Sequence, residues 1–492
     1  MKVRNLAVAI LIGLTAVAES ARASEQYYAL YMGGKKIGHA VRSREAAGGK
    51  VTHVEEVSIT LSRGEMPVAV RQVEKSIETP EGKPLGFESV QDMGIMAMHV
   101  TGRVNDAGKF IVTMESMGSK QESVIDWPSG AMMAEGLRLL TEKKGLKEGV
   151  AFSAKIFSPM LMQAIDANVA VGAKEEVDLL GRVVSLHKVT TTLNVPNAGV
   201  MAITSYVDEQ LEEQKVITPV MGMQIEMVAC TKEFALSPND VVDVLNKLSL
   251  ASPQPIENIS SAKSITYYLK PLAGANDIRI PSTDNQSVRV EKDGTIVVTV
   301  APVAAAKGVR FPYRGTDEKV LTSLKPTQYV QSDRKEIIEL ARKAVGSTKD
   351  AAEAVRRIEA FVAQYIENKS LTVGYASAAE VAASRKGDCS EFSVLTAALC
   401  RAAGIPAQVV AGVAYIDEFL DLKTIFGGHA WVQAYVGDKW VGVDSTFKSS
   451  GRGGYDAGHI ALAVGEGDPA DFFGMVSSLG KFRIEKITVS MK

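Results

Sequence analysis

The sequence contains few cysteines, few aromatic residues and little net charge. Of its 492 residues only 3 are cysteine, 6% are aromatic, and the formal net charge is −2. A small, odd number of cysteines excludes a disulfide-built scaffold and leaves at least one thiol free. A nearly neutral chain gives no reason to expect binding to nucleic acid or to an anionic membrane surface. The sequence has no phosphate-binding loop and no dinucleotide fingerprint, which argues against the common nucleotide-dependent enzymes. It also has no internal repeat of the kind that builds solenoid folds.

The first 23 residues have the pattern of a secretory signal peptide. Lys2 and Arg4 precede an apolar run over residues 6–18, and Ala21-Arg22-Ala23 places small residues at a cleavage site. This run is shorter than the ~20 residues that a membrane-spanning helix needs, and no later segment is long and apolar enough to span a bilayer. We therefore expect a periplasmic or secreted protein with no membrane span after the signal is cleaved.

The remaining chain divides into three parts by pattern. Residues 24–250 are β-rich, with a hairpin around Gly33-Gly34 and one helix expected over residues 129–143. A proline-containing linker near residues 251–255 leads to a short β region over residues 256–310. Residues 311–492 begin with helical periodicity and end with strands. The predicted fold class is thus α+β, with a β-rich N-terminal domain ahead of a C-terminal domain over residues 311–492.

The most informative segment is a predicted helix that begins at Cys389. Asp388 is a good N-cap, and Gly404 ends the helix after an apolar stripe. A cysteine at the first helical position lies where free N–H groups and the helix dipole favour a thiolate, and its own N–H is a candidate oxyanion donor. Cys400 is eleven residues further along the same helix, so the two sulfurs lie ~16 Å apart and cannot form a disulfide.

A histidine and an aspartate follow at positions that suit a catalytic base and its partner. His429 lies in an alternating strand, and Gly437-Asp438 forms a two-residue turn into a second strand over residues 439–446. In that register His429 and Asp444 are diagonal neighbours on one face. His429 would take the proton of the Cys389 thiol and Asp444 would orient the ring. Each residue alone is more often structural, but their joint occurrence favours catalysis.

These residues resemble the transglutaminase-like superfamily of bacteria. The resemblance covers residues 325–450 and depends on Gly387-Asp388-Cys389, residues 399–407, His429-Ala430-Trp431-Val432 and residues 440–446. It implies a papain-like core with Cys389, His429 and Asp444 as the catalytic triad, acting on peptide or protein amides without a cofactor. The family often has proline where this sequence has Ser445. Tyr375, upstream of the helix, is a candidate for a further oxyanion donor.

Two other interpretations fit parts of the pattern. Cys389, His429 and Asp444 could instead bind zinc as three ligands, and methionines near residues 93–99 and 221–227 could bind copper. The chain could also be a non-catalytic envelope module that binds or scaffolds other proteins while retaining the fold. The expected partner in the enzymatic interpretation is a peptide or protein substrate, including cell-envelope components. The sequence predicts no particular oligomeric state.

The signal-peptide interpretation predicts where the mature chain begins. When the full-length gene product is expressed in a bacterium and recovered from the periplasm or medium, its N-terminus should be Ser24. N-terminal sequencing or intact mass spectrometry measures this directly. Replacing Ala21 and Ala23 with leucine should block cleavage, because the peptidase needs small residues there. An exported chain that retains Met1 would contradict the prediction.

Overall fold

A computed structural model of the chain describes residues 24–63, 66–92, 97–116, 119–159, 162–195, 199–220, 223–242, 249–272, 275, 278–369, 376–419, 422–467, 475 and 478–491. The predicted signal peptide and Tyr375 lie outside these residues. Strands account for 51% of the structure and helices for 19%. The chain as a whole is therefore dominated by strands, and helices are concentrated in its C-terminal part. No described helix has the length and apolar character needed to cross a membrane.

The first half of the described chain is built almost wholly from strands. They are β1 (Ser24–Met32), β2 (Lys35–Ala47), β3 (Lys50–Arg63), β4 (Met66–Glu78), β5 (Pro84–Asp92), β6 (Ala97–Val104), β7 (Phe110–Ser116), β8 (Ser119–Ile125), β9 (Ala131–Met132), β10 (Ala151–Ser158), β11 (Gln163–Asp178), β12 (Val183–Val195), β13 (Gly199–Val207), β14 (Glu213–Val220) and β15 (Met223–Cys230). Two helices accompany them, α1 (Ala134–Lys144) and α2 (Lys232–Ala235). The expectation of a strand-rich N-terminal region is confirmed, and α1 matches the helix expected over residues 129–143.

All of these strands belong to one sheet. Its order is β8-β7-β6-β5-β4-β3-β2-β1-β15-β14-β13-β12-β11-β10-β9, so most chain neighbours are also sheet neighbours and β1 pairs with β15. The β1–β2 hairpin turns at Gly33-Gly34, where φ is +59° and +76°. Glycine suits both positions because a type I′ turn needs a positive φ at each central residue. Met227 is buried in the core of this sheet, so this methionine packs against its neighbours as an ordinary core side chain.

The second half alternates helices and strands. Its elements are β16 (Ser249–Ala251), β17 (Ala262–Pro271), β18 (Gln286–Val290), β19 (Ile296–Val300), α3 (Glu318–Thr322), α4 (Lys335–Val345), α5 (Ala351–Tyr365), β20 (Asn368–Lys369), α6 (Ala378–Ser384), β21 (Lys386–Gly387), α7 (Cys389–Ala402), β22 (Ala407–Phe419), β23 (Leu422–Val436), β24 (Lys439–Val443), α8 (Ser445–Ser449), β25 (His459–Gly465) and β26 (Phe482–Met491). The strands form two main sheets. One has the order β16-β23-β22-β25 with β24 also paired to β23, and the other has the order β18-β19-β17-β26.

These pairings connect segments that are far apart in sequence. The strand β26 near the C-terminus completes the sheet made by β17, β18 and β19, and β16 pairs with β23 of the sheet that carries His429. The division into residues 24–250, 256–310 and 311–492 stays a prediction. For the site, the important consequence is that β23 has a hydrogen-bonded neighbour on both sides, which holds it rigidly in place.

Helix α7 lies in the centre of the C-terminal core. The sequence predicts burial of one apolar stripe, but every residue from Glu391 to Arg401 is buried. The physical reason is that α7 packs against β22 and β23 on one side and against α4, α5 and α6 on others. Its small residues, such as Ala397 and Ala398, allow this close approach and are fully buried. Helix α7, which begins at Cys389, is therefore packed against other elements on several sides.

Arg401 anchors the end of this helix. Its guanidinium donates to the Ala407 carbonyl at 2.9 and 2.8 Å, to the Lys325 carbonyl at 2.7 Å and to the Glu466 carboxylate at 2.7 Å. The Arg401 side chain is fully buried. A planar guanidinium can satisfy several acceptors at once in a fixed geometry, which lysine cannot do. Arg401 thus connects α7 to the start of β22 and to the segment that follows β25.

Replacing Arg401 with methionine should lower the free energy of unfolding by about 3–5 kcal/mol, because it leaves a carboxylate and two carbonyls without their buried donor. Urea unfolding followed by circular dichroism measures the change. The matched control is Arg356→Met, since Arg356 is exposed and pairs with Glu353 on the surface of α5. That change should cost less than about 1 kcal/mol. Equal losses for the two variants would contradict the assigned role of Arg401.

Candidate active site

Cys389 is the first residue of α7, as the sequence predicts. Asp388 is the N-cap, and its side chain accepts the Ser390 N–H at 3.1 Å while the Asp388 N–H donates to Glu391 at 2.9 Å. This reciprocal capping box fixes where the helix begins. Gly387 lies so close to Glu391 that an added Cβ would stand 2.2 Å from the Glu391 Cβ. A glycine is therefore needed immediately before the cap.

Glu391 is a buried carboxyl in the first turn of α7. Besides the Asp388 N–H it accepts the Ala376 N–H at 2.9 Å, which ties the helix start to the first residue described after the gap at residues 370–375. Burial, helped by the charge of Asp388, raises the pKa of Glu391 well above its ordinary value. Sequence reasoning identifies Glu391 only as part of the helix; its buried position follows from the packing of the 376–380 segment against α7.

The surroundings of Cys389 raise the pKa of its thiol. Burial has the largest effect, and the carboxyl groups of Asp388, Glu391 and Asp444 act in the same direction, while a hydrogen bond from the Ala430 N–H opposes them. This differs from the expectation of a thiolate favoured by the helix dipole. The physical reason is that burial of the sulfur disfavours its charged form, and the acidic cap that begins the helix adds negative charge beside it. These surroundings favour the thiol form of Cys389 over the thiolate.

Strand β23, which carries His429, contacts the start of α7 at Ala430. Since the Ala430 N–H reaches the Cys389 sulfur, the residue immediately before it, His429, lies at the same point of β23. The turn at Gly437-Asp438 has two residues as predicted, because Val436 pairs with Lys439. His429 is buried. The structure therefore brings the strand of the predicted base to the predicted nucleophile.

Asp444 is hydrogen-bonded to His429, but it is the N-cap of a helix and not part of a strand. The expected strand over residues 439–446 ends at Val443, and Asp444 is the N-cap of α8. The Asp444 Oδ1 accepts the Thr446 N–H at 2.8 Å and the Phe447 N–H at 3.0 Å, and its Oδ2 lies 2.8 Å from His429 Nε2. The strand ends early because a carboxylate with two backbone N–H groups in reach stabilises a helix start.

These contacts determine the tautomer of His429. Burial alone would raise the pKa of Asp444, but the charges and hydrogen bonds of His429 and His459 outweigh it and hold the pKa well below its usual range. Because the carboxylate is ionised and can only accept, Nε2 of His429 must carry the proton. A neutral His429 then has its lone pair on Nδ1. This is the nitrogen left for a proton from another group.

A second histidine, His459, contacts the same carboxylate. Its Nε2 lies 3.0 Å from Asp444 Oδ2, and its Nδ1 lies 3.1 Å from the Asp456 Oδ1. Sequence reasoning missed it. Its only signal is a Gly-His pair before an apolar strand, as at 428–429, and the same pair also occurs at 38–39 far from the site. The third Gly-His pair shows why this signal by itself is weak.

Aromatic rings enclose the two histidines. Phe447 stacks on His429 with ring centres 4.4 Å apart, and Tyr455 lies 4.7 Å from His459. Trp431 lies 5.1 Å from the His459 ring in an edge-on arrangement. The guanidinium of Arg452 lies over Phe447 at 4.1 Å and also pairs with Asp456. Water is thus kept away from the ion pairs, and this strengthens their electrostatic interactions.

Residues 338–445 match the family model of the transglutaminase-like superfamily. This segment is transglutaminase-like. The match contains Cys389, His429 and Asp444, so the resemblance noted from the sequence is confirmed for the segment that carries them. No curated protein matches the chain.

Several solved structures are similar to parts of the chain. A candidate cysteine protease from Cytophaga hutchinsonii has 20% identity and a TM-score of 0.31, covering 50% of this chain and 87% of that one. The periplasmic domain of TgpA from Pseudomonas aeruginosa, bound to ethylmercury, has 16% identity and a TM-score of 0.25, covering 41% and 89%. A β-barrel-like protein of unknown function from Brucella abortus has 13% identity and a TM-score of 0.33, covering 42% and 96%.

Within the transglutaminase-like segment and β25, one group of described side chains comes close enough to share a metal ion. His429, Asp444 and His459 have ligand atoms within 4.8 Å of one another, and Cys389 is not part of that group. The three zinc ligands considered from the sequence, Cys389, His429 and Asp444, therefore do not form such a group. Both histidine Nε2 atoms already point at one carboxylate oxygen at hydrogen-bond distance, which is the arrangement of a hydrogen-bonded relay.

Ser445, the departure from the family pattern, is the first residue of α8. Proline suits this helix position because no N–H donor is required there. Ser445 instead makes a hydroxyl–hydroxyl hydrogen bond of 2.7 Å with Thr396 of α7, and both side chains are buried. The transglutaminase-like segment of this chain thus connects the nucleophile helix directly to the helix that presents Asp444.

Replacing Ser445 with alanine should lower the free energy of unfolding by about 1–2 kcal/mol, because the buried Thr396 hydroxyl loses its partner. Thr396→Val should have a similar cost, and the double variant should cost less than the sum. Urea unfolding of the four proteins measures the coupling. The control combines Thr396→Val with Ser450→Ala, an exposed serine that bonds only within its own turn, and this pair should be additive. Additivity for Ser445 and Thr396 would contradict a direct link.

Proposed function

We propose that this protein is an exported thiol-dependent acyl-transfer enzyme that acts on amide bonds of peptides or proteins. Cys389 is the nucleophile, His429 the general base and acid, and Asp444 the orienting carboxylate, in a papain-like arrangement. The observation that carries the proposal is the hydrogen bond between His429 Nε2 and an ionised Asp444 at 2.8 Å. It leaves Nδ1 as the basic nitrogen on a strand whose next N–H bonds to the Cys389 sulfur.

The first half-reaction forms an acyl-enzyme. Nδ1 of His429 takes the thiol proton while the sulfur attacks the carbonyl carbon, which gives a tetrahedral oxyanion. The N–H of Cys389, at the start of α7, is a candidate donor to that oxyanion. The C–N bond then breaks, the proton passes from His429 to the leaving amine, and a thioester remains on Cys389. Because burial disfavours a free thiolate, this proton transfer has to accompany the attack.

The second half-reaction decides between hydrolysis and transfer. His429 takes a proton from water or from a second amine, and the resulting nucleophile attacks the thioester carbon. Collapse of this intermediate releases an acid or a new amide and returns the proton to the Cys389 sulfur. The same triad serves peptidase, amidase and cross-linking chemistry. The proposed compartment is the periplasm or the extracellular space, which makes envelope proteins and peptides the expected substrates.

The alternative function is a non-catalytic envelope module that binds or scaffolds other proteins. The raised pKa of the Cys389 thiol is the observation that favours it, because a cysteine whose thiolate is disfavoured is ordinarily unreactive. The two functions differ in whether His429 makes Cys389 reactive. The chain supplies its own reference for this question, since Cys230 is also a half-buried free cysteine with a raised pKa.

Iodoacetamide labelling near pH 6.5 should modify Cys389 at least about tenfold faster than Cys230, because in the proposed mechanism His429 accepts the Cys389 proton. Peptide mapping by mass spectrometry gives the rate at each cysteine in the same sample. Cys400 should be slowest, since it is fully buried and burial raises its pKa to about 12.

The variant that decides the matter is His429→Gln, which should slow labelling of Cys389 to the range of Cys230 without changing the Cys230 rate. His187→Gln in the N-terminal sheet is the matched control and should leave both rates unchanged. If Cys389 in the unmodified chain reacts no faster than Cys230, the enzymatic proposal fails and the non-catalytic module is favoured.

A further inference from the structure

The carboxylate of Asp444 is shared by two imidazole rings. Oδ2 lies 2.8 Å from His429 Nε2 and 3.0 Å from His459 Nε2, while Oδ1 accepts two backbone N–H groups. An ionised carboxylate has about four acceptor positions, and all of them are used here. A triad needs only one of the two rings. The second ring, His459, is fully buried and has no role in the reaction described above.

The other nitrogen of His459 also faces acceptors. Nδ1 lies 3.0 Å from the Asp456 carbonyl oxygen and 3.1 Å from its Oδ1, whereas the one nearby donor, the Asp456 N–H, is further away at 3.4 Å. Because the two acceptors are the nearer partners of Nδ1 and an ionised carboxylate is the partner of Nε2, the contacts favour a proton on each nitrogen. Such a ring is an imidazolium between two carboxylates.

The charged groups around His459 balance one another. Asp444 approaches from the start of α8, and Asp456 from the loop before β25. The carboxylate of Asp456 also pairs with Arg452 at 3.1 Å and accepts the Gly458 N–H. Among the described residues, the other titratable groups that face His459 are Tyr455, whose ring lies 4.7 Å away, and His429 of β23, whose ring lies 5.6 Å away. One imidazolium and one guanidinium thus offset two carboxylates in a buried site.

We propose that His459 is a positioning residue, held as an imidazolium between Asp444 and Asp456, that fixes the Asp444 carboxylate and reduces the negative charge felt by His429. This inference rests on the proposed function for its catalytic meaning. Asp444 would then act on His429 mainly as an oriented acceptor with its charge largely compensated, and His429 would release its proton to the leaving amine more readily than beside a lone carboxylate.

The pH dependence follows from these contacts. Burial alone would lower the pKa of His459, but the hydrogen bonds and charges of Asp444 and Asp456 outweigh it and raise the pKa to about 9. An unfolded histidine titrates near 6.5. The stabilisation from His459 is therefore fully present below pH ~6.5 and is lost as the pH rises through about 9. Over the neutral range the ring stays charged.

Histidine nitrogen NMR tests the charge state directly. The chain has six histidines, and the His459 signals are assigned by their absence in His459→Gln. In the full chain at pH 7.5 both ring nitrogens of His459 should resonate as protonated, and they should remain so until the pH approaches 9. A neutral tautomer at pH 7.5 would overturn the proposal, whether or not Cys389 proves reactive.

The effect on His429 is measured in the same spectra. In a Cys389→Ala background, which removes coupling to the thiol, His459→Gln should move the proton resonance of His429 Nε2–H downfield, since Asp444 without its compensating cation is a stronger acceptor. Tyr455→Phe, which keeps the ring beside His459, should leave that resonance unchanged. A His459 that only fills space would not change the strength of this hydrogen bond, so an unchanged resonance in a folded His459→Gln protein contradicts the proposal.

Asp456→Asn provides a second route if His459→Gln does not fold. It removes one of the two carboxylates while keeping the shape of the side chain, so His459 should lose its proton at a lower pH than in the unmodified chain. An unaltered His459 titration in this variant would show that Asp456 does not hold the charge, and the proposal would fail.

Discussion

The buried carboxylate of Asp444 is the group on which the rest of the site depends. It ends β24, begins α8 and accepts hydrogen bonds from two histidines at once. A carboxylate in such a place is costly unless every acceptor position is used. The surrounding structure meets this requirement with two backbone N–H groups and two imidazoles. As a result the position of His429 is fixed by the same contacts that make burial of the charge tolerable.

The position of Cys389 depends on two other carboxyl groups, which lie at the start of α7. Helix α7 begins in the interior, where its first N–H groups need partners, and the carboxyl groups of Asp388 and Glu391 provide them. Burial raises the pKa of the Cys389 thiol, and the same carboxyl groups add to this effect. The groups that fix the position of the sulfur therefore also disfavour its ionisation. In the proposed mechanism a base on the adjacent strand resolves this conflict, because it takes the proton as the sulfur attacks.

Sheet pairing brings these parts together across long stretches of chain. β23 receives β22 and β24 as neighbours, while β25, on the far side of β22, supplies His459. The hydroxyl pair of Thr396 and Ser445 and the guanidinium of Arg401 connect α7 to α8 and to β22. Proteins hold such constellations best on packed helices and strands. The strand-rich first half contributes no side chain to the described triad contacts.

The sequence by itself determined the parts of the site that depend on local patterns. Asp388 before Cys389, the two-residue turn at Gly437-Asp438 and the resulting register of β23 with β24 follow from capping, turn chemistry and strand alternation, all of which act over a few residues. Tertiary structure alone decided that Asp444 caps a helix, that acidic neighbours oppose ionisation of Cys389, and that His459 joins the carboxylate. These features arise from segments that meet only after folding, and burial and charge coupling depend on what surrounds a residue in space.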